Sequence, residues 1–190
     1  MSSSVDICNR ALQKLGAERI ISLTQNSVSA RACNLAYEIV RDAELRAHVW
    51  NFSVKRAQLA ADATAPVYGY DYSYTLPSDC LRLLHNDHNE GVYITDWKVE
   101  GRKILTNESA PIDIRYIYRI TDTTKYDASF SEALSCKIAM EICEELTQSN
   151  TKRQIAADEY KAAIREARKI NAFENVSKEF QTDTWLTARL

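Results

Sequence analysis

The sequence predicts an α+β protein: a helical bundle built from N- and C-terminal helices, with an inserted, mostly antiparallel β segment and an extended C-terminal tail. Three observations carry this expectation. Glycine and proline together number only seven in 190 residues, against roughly 23 at average usage, whereas an all-β sandwich needs a turn every ~8–12 residues. Six of the seven (Pro66, Gly69, Pro77, Gly91, Gly101 and Pro111) fall between residues 66 and 111. Apolar residues recur every three or four positions outside that window and every second position in much of it.

The first helix follows from Val5, Cys8, Leu12 and Leu15, one stripe at helical spacing. Ser3 or Ser4 can accept its first free amide protons, and Gly16 suits the left-handed residue that ends it. A second helix is expected from about Ser29 to His48. Its stripe is Cys33, Ala36, Val40, Ala43, Ala47 and Trp50, with Leu35, Ile39 and Leu45 widening the buried arc. So many small side chains on one face permit close helix–helix approach.

The β segment opens at Phe52, Val54 and Arg56. Over residues 68–74, Tyr68, Tyr70, Tyr72 and Tyr74 fall on one face of a strand. Residues 92–105 read as a hairpin turning at Glu100-Gly101. Residues 112–120 place Ile112, Ile114, Tyr116, Tyr118 and Ile120 on one face and Asp113, Arg115 and Arg119 on the other, with Ile117 as the exception.

Two helices complete the pattern. One covers about 128–148, with Phe130, Leu134, Cys136, Ile138, Met140, Ile142 and Cys143 spread round it, which marks it as central. The next, 151–172, is capped by Asn150 or Thr151 and buries Ala156, Tyr160, Ala163, Ala167 and Ile170. The chain thus divides into helices over 4–50, β structure over 52–120, helices over 128–172 and a tail over 175–190, read as one domain spanning 1–190. Neither helical end has enough partners alone, so the two are expected to pack together.

Composition narrows the function classes. Apolar residues make up 45% of the chain, which argues against disorder. Lys+Arg number 24 against 26 Asp+Glu, a net charge of -2, without the basic excess of a dedicated nucleic-acid binder. The five cysteines, Cys8, Cys33, Cys80, Cys136 and Cys143, are an odd number without CxxC or short metal-type spacing. They read as free, buried thiols of a protein folded in a reducing cytoplasm. Asp6 and Arg10 interrupt any signal peptide, and no apolar run reaches the ~20 residues of a membrane span.

Phosphate loops, dinucleotide glycine fingerprints, GxSxG and HExxH are all missing from the sequence. No catalytic residue, metal or cofactor is therefore assigned. His85, Asp87, His88 and Glu90 form the densest ligand-like cluster, but Asn86, Asp87 and Asn89 equally serve a polar turn. The tyrosine row is a possible stacking platform for sugars or single-stranded nucleic acid. The competing reading, which we prefer, is the core face of a strand. Lys161, Arg165 and Arg168 share a helix face at spacings of four and three, either a contact strip for an acidic partner or DNA, or a solvated face. In the tail, Phe180, Trp185, Leu186 and Leu190 cannot make their own core. Because the helical pattern has already ended, docking on another chain is favoured over folding back.

Several strings, in order, carry a resemblance. They are Cys33-Asn34 with Tyr37, Arg41-Asp42 and Leu45, then Trp50-Asn51-Phe52 with Arg56-Ala57 and Leu59. After them come the run Tyr72-Ser73-Tyr74-Thr75-Leu76-Pro77-Ser78-Asp79-Cys80-Leu81-Arg82, Val99-Glu100-Gly101-Arg102, and Ile120-Thr121-Asp122 with Tyr126-Asp127. Over roughly residues 4–172 the chain resembles the tail tubular protein A family, the head-to-tail adaptors of short-tailed phages and related prophages.

The resemblance implies a non-enzymatic virion protein at the head–tail junction, folded in the host cytoplasm and in some cases monomeric before assembly. Such adaptors form a ring of twelve copies between the portal and the tail nozzle protein, through which duplex DNA passes. It also implies a portal contact through the C-terminal extension, here Phe180, Trp185, Leu186 and Leu190. A near-neutral subunit suits a conduit, since each phosphate neutralised adds affinity and slows passage. The alternatives are a hydrolase acting on cell-surface polysaccharide with unidentified carboxylates, and a small-ligand module in the β segment.

Overall fold

The computed structural model describes residues 3–84 and 96–174. The observed elements are α1 (Ser4–Leu15), α2 (Val28–Ala47), a 3-10 turn (Asn51–Ser53), β1 (Val54–Leu59), β2 (Tyr72–Thr75) and β3 (Cys80–Leu84). They continue through β4 (Trp97–Glu100), β5 (Lys103–Thr106), β6 (Ile112–Tyr118), a second 3-10 turn (Thr123–Lys125), α3 (Ala128–Thr147) and α4 (Asn150–Phe173). This is the α+β, helix–β–helix order read from the sequence.

Local chemistry sets the helix ends. Ser3 caps α1 in a reciprocal box with Asp6, and Gly16 ends it at φ 70°, where a Cβ would be strained. Ser27 caps α2 and Asp127 caps α3 through side-chain oxygens. At α4 the cap is Ser149, one residue before Asn150 and two before Thr151, the expected candidates. Its hydroxyl accepts from the Lys152 amide, and Asn150 is already helical.

α3 is the central helix and packs against α1, α2 and α4. Phe130, Leu134, Cys136, Ile138, Ile142 and Cys143 are all buried, so apolar side chains occupy most of its circumference. The aromatic cluster of Trp50, Phe52, Tyr126 and Phe130 seals the end of the bundle where the β segment begins. Trp50 is fully buried and donates from Nε1 to the Glu44 carbonyl at 3.0 Å.

The β segment forms two three-stranded antiparallel sheets, ordered β1-β6-β3 and β2-β5-β4. β6 separates two cores. Ile112, Ile114 and Tyr116 pack with Tyr74, Leu76 and Ile104 in a core between the sheets. Ile117 turns the other way and joins the helical core, so the exception in the alternation is the residue that fastens the sheet to the bundle. Ile120, expected on the Ile112 face, lies beyond the strand and also joins the helical core.

Four expectations are corrected. The strand that was to begin at residue 68 begins at Tyr72, because Gly69 at φ 88° interrupts the extended backbone, and Tyr68 is exposed. The β4–β5 loop is Gly101-Arg102, closed by the Glu100–Lys103 pair, with Gly101 at φ 59°. On α4, Ile170 faces outward and Asn171 is buried in its place.

The fourth correction is the largest. Leu35 and Ile39, expected to widen the buried arc of α2, are 71% and 74% exposed, and Ala43 and Ala47 are also exposed. The buried side instead holds Cys33, Tyr37, Val40, Arg41, Glu44 and Leu45. Arg41 and Glu44 tolerate burial because each has a partner: Arg41 pairs with Asp42 at 2.9 Å, and Glu44 accepts from the Tyr160 hydroxyl at 2.7 Å.

Candidate functional site

α2 positions the most distinctive surface among the described residues. Val28, Leu35 and Ile39 stand at spacings of seven and four, with Ala43 four further on, all on the arc opposite the buried side. At 100° per residue they span one narrow stripe. The helix is therefore apolar on two faces, one inside its own bundle and one outside it. Arg31 and Glu38 border one side of the stripe, and Arg31 donates to Asn26 Oδ1 at 2.9 Å.

α4 carries further outward apolar side chains, Ile155 and Phe173, which stand 18 residues and about 27 Å apart along the helix. Ile155 and Phe173 are 54% and 78% exposed, and the Lys169 ammonium lies over the Phe173 ring at 5.9 Å. The helix buries Ala156, Ile164, Ala167 and Asn171 on its other side.

A polar seam joins the two helices beneath these patches. Tyr160 donates to Glu44. Further along, Asn171 accepts from the Asn51 amide at 2.8 Å and donates to the Val49 carbonyl at 3.0 Å. His48 beside it has its pKa pushed down, first by burial and then by the Arg168 and Arg82 charges. The Tyr160 hydroxyl is pushed up by burial and by the Glu44 carboxylate. This seam ties α4 to α2 and to the segment that follows it.

The strip of Lys161, Arg165 and Arg168 lies exposed on α4. Lys161 pairs with Asp158 at 3.1 Å. Arg168 stands near the α2 seam, close enough to act on both His48 and Tyr160. The strip is thus divided between a local ion pair and the rim of the seam.

The five cysteines are all buried and unbridged. The neighbouring Cys33 sulfur and burial push the Cys8 thiol up, and burial does the same to Cys80 and Cys136. Among the described residues no group of three or more His, Cys, Asp or Glu side chains converges as a metal site, and no helix is long and apolar enough to cross a membrane. The cluster of His85, Asp87, His88 and Glu90, and the tail residues Phe180, Trp185, Leu186 and Leu190, lie outside the described residues.

Hydrophobicity alone places Leu35 and Ile39 in the core. A usable signal was there: Cys33, Tyr37, Val40 and Glu44 already fill one arc, and Val28, Leu35 and Ile39 fall on the arc facing away from it. A comparison with protein-family models finds no match to the chain, and neither does a comparison with curated proteins.

Proposed function

We propose that the chain is a non-enzymatic structural subunit, a head-to-tail adaptor of the short-tailed phage type, which assembles with copies of itself into a ring. The observation that carries this reading is the second apolar face of α2, with Leu35 and Ile39 more than two thirds exposed. Large apolar side chains aligned on a rigid helix and left in water mark a surface that another protein covers. A ring needs two different patches, one on each side of the subunit, because a self-complementary patch closes as a dimer. The outward side of α4, marked by Ile155 and, about 27 Å further along, by Phe173, supplies the second.

In this reading the ring sits at the head–tail junction of a virion, between the portal and the tail nozzle protein, and passes duplex DNA without gripping it. The ordered strings from Cys33 to Asp127 support the class of assembly, and the net charge of -2 suits a conduit. The tail residues Phe180, Trp185, Leu186 and Leu190 are assigned to the portal contact.

Electron microscopy of the purified protein, with and without a portal ring, tests the reading. Twelve-fold density in either sample is expected. Failure to associate with itself or with the portal, or a closed dimer in both samples, overturns it. Deleting residues 176–190 should abolish portal capture in a pull-down, and unchanged capture removes the tail assignment.

A further inference from the structure

The tyrosines read from the sequence as one face of a strand are divided between two settings. Tyr74 is buried between the sheets, its hydroxyl donating to the Glu108 carbonyl at 2.8 Å. Tyr68 and Tyr70 precede β2 on a loop that turns through Gly69, and Tyr68 is 88% exposed. These two tyrosines are not used by the core and not required by the assembly reading.

The loop and the outer face of the β2-β5-β4 sheet enclose a groove of about 470 Å³. Tyr68 and Tyr70 line it from the loop, and Lys98, Glu100, Lys103 and Leu105 line it from β4 and β5. The cross-strand register explains the set, since Lys98 faces Leu105 and Glu100 faces Lys103 on one side of the sheet. The volume lies within the ~300–1,000 Å³ span of small-molecule sites.

The charges of the groove decide what class of ligand fits. Lys98 Nζ lies 2.7 Å from Glu100 Oε1, and Lys103 Nζ lies 2.9 Å from Asp62 Oδ2. Each ammonium is already balanced by a carboxylate, so a phosphate chain would meet the like charges of Glu100 and Asp62. A neutral ligand with hydroxyl groups meets no such repulsion, and each ammonium keeps N–H donors for it. It finds ammonium donors, the Glu100 acceptor and tyrosine hydroxyls that do either, beside an exposed aromatic ring whose face takes apolar C–H groups. A ligand with an apolar ring face and a rim of hydroxyls is a carbohydrate.

We propose that this groove is a binding site for a neutral oligosaccharide, with the Tyr68 ring as its stacking surface. The chemistry available is binding. Asp62 is held by Lys103, by the Ser73 hydroxyl at 2.9 Å and by the Thr75 hydroxyl at 2.8 Å, and Glu100 is held by Lys98. The inference is independent of ring assembly and stands or falls separately from it.

The test is titration of the full chain with maltotriose, cellotriose and chitotriose, and with a twelve-residue oligothymidylate, followed by calorimetry and by backbone amide NMR shifts. Saturable binding of at least one trisaccharide at roughly millimolar affinity is expected, with shifts in residues 67–70 and 98–105. Tyr68→Ala should weaken it at least about tenfold, while Tyr68→Phe, which keeps the ring, retains it. Because Tyr68 is exposed, both variants should fold as the parent does, which unchanged amide spectra elsewhere would verify. No binding to any of the three sugars, binding of the oligonucleotide in their place, or affinity unchanged in Tyr68→Ala overturns the proposal.

Discussion

The Tyr160 hydroxyl donates a 2.7 Å hydrogen bond to Glu44 Oε1, joining α4 to α2 across 116 residues of sequence. Glu44 is buried, and its Oε2 has no hydrogen-bond partner among the described residues. The carboxylate therefore depends on this one hydroxyl. Tyr160→Phe keeps the ring and removes the donor, and leaving a buried carboxylate unpaired costs at least the roughly 1–3 kcal/mol of a neutral group. Urea unfolding should show that loss in the midpoint with an unchanged slope. Because Glu44 is the partner at risk, Glu44→Gln in the Tyr160→Phe background should recover part of it.

Asn171 is the corresponding fastener at the end of α4. It accepts from the Asn51 amide and donates to the Val49 carbonyl, both within 3.0 Å, and its own carbonyl accepts from Asn51 Nδ2 at 2.9 Å. Asn171→Leu keeps the branched outline but cannot pair the Asn51 amide or the Val49 carbonyl, and should cost about 2 kcal/mol or more. Nearby Trp50→Ala removes the largest buried side chain, at about 3–5 kcal/mol. Differential scanning calorimetry should rank the Trp50 variant below the Asn171 variant.

These two positions also mark the limit of what the sequence reveals. Apolar periodicity located all four helices and the central β6, because burial of a stripe leaves its period in the residue order. Even the odd Ile117 was visible, as a break in alternation. Periodicity says nothing about which apolar arc faces the protein's own core. On α2 the inner arc contains Arg41 and Glu44, whose burial depends on Asp42 beside the one and Tyr160 far along the chain from the other. The outer arc contains Leu35 and Ile39. A reading by hydrophobicity alone puts both leucine and isoleucine inside. The tyrosine row failed for a related reason: one glycine at φ 88° removes Tyr68 from the strand, and backbone sign is invisible in a period-two pattern.

Asp62 gives a pH-dependent test. Hydrogen bonding from the Lys103 ammonium, opposed by partial burial and aided by Thr75 and Ser73, lowers its carboxyl from the ordinary value of 3.8 to about 2. The folded pKa lies below the unfolded one, so the contribution is complete above the ordinary value and is lost as pH falls through about 2. Stability measured by urea unfolding between pH 4 and 2 should therefore fall less steeply in Asp62→Asn than in the parent. Equal slopes would mean that the pairing does not distinguish the folded from the unfolded chain.

The thiols predict a protection pattern. All five are buried, and Cys8, Cys80 and Cys136 are pushed above the usual thiol range. Reaction with an aromatic disulfide reagent needs the thiolate and access to it. At pH 8 the native protein should release less than about one equivalent of thiol over minutes, and all five of the sequence in denaturant. A fast native equivalent would locate a part of the bundle that opens locally, and single Cys→Ser variants would identify which.

The outward face of α2 separates folding from assembly. Leu35 and Ile39 are 71% and 74% exposed in the subunit, so replacing both with Asp removes little that the isolated fold uses. Substitutions at such positions fall within about 0.5 kcal/mol of the parent. In an interface the same change inserts two carboxylates into an apolar contact, where each desolvated charge lacks a partner. The double variant should therefore unfold at the same urea concentration as the parent and fail to form rings by electron microscopy and sedimentation. Replacing Ile155 and Phe173 on α4 should give the same phenotype, because a heterologous ring needs both patches. Mixing the two defective variants supplies one intact α2 face and one intact α4 face. It should restore pairwise association without closing a ring, an outcome that a symmetric dimer through α2 alone would not produce.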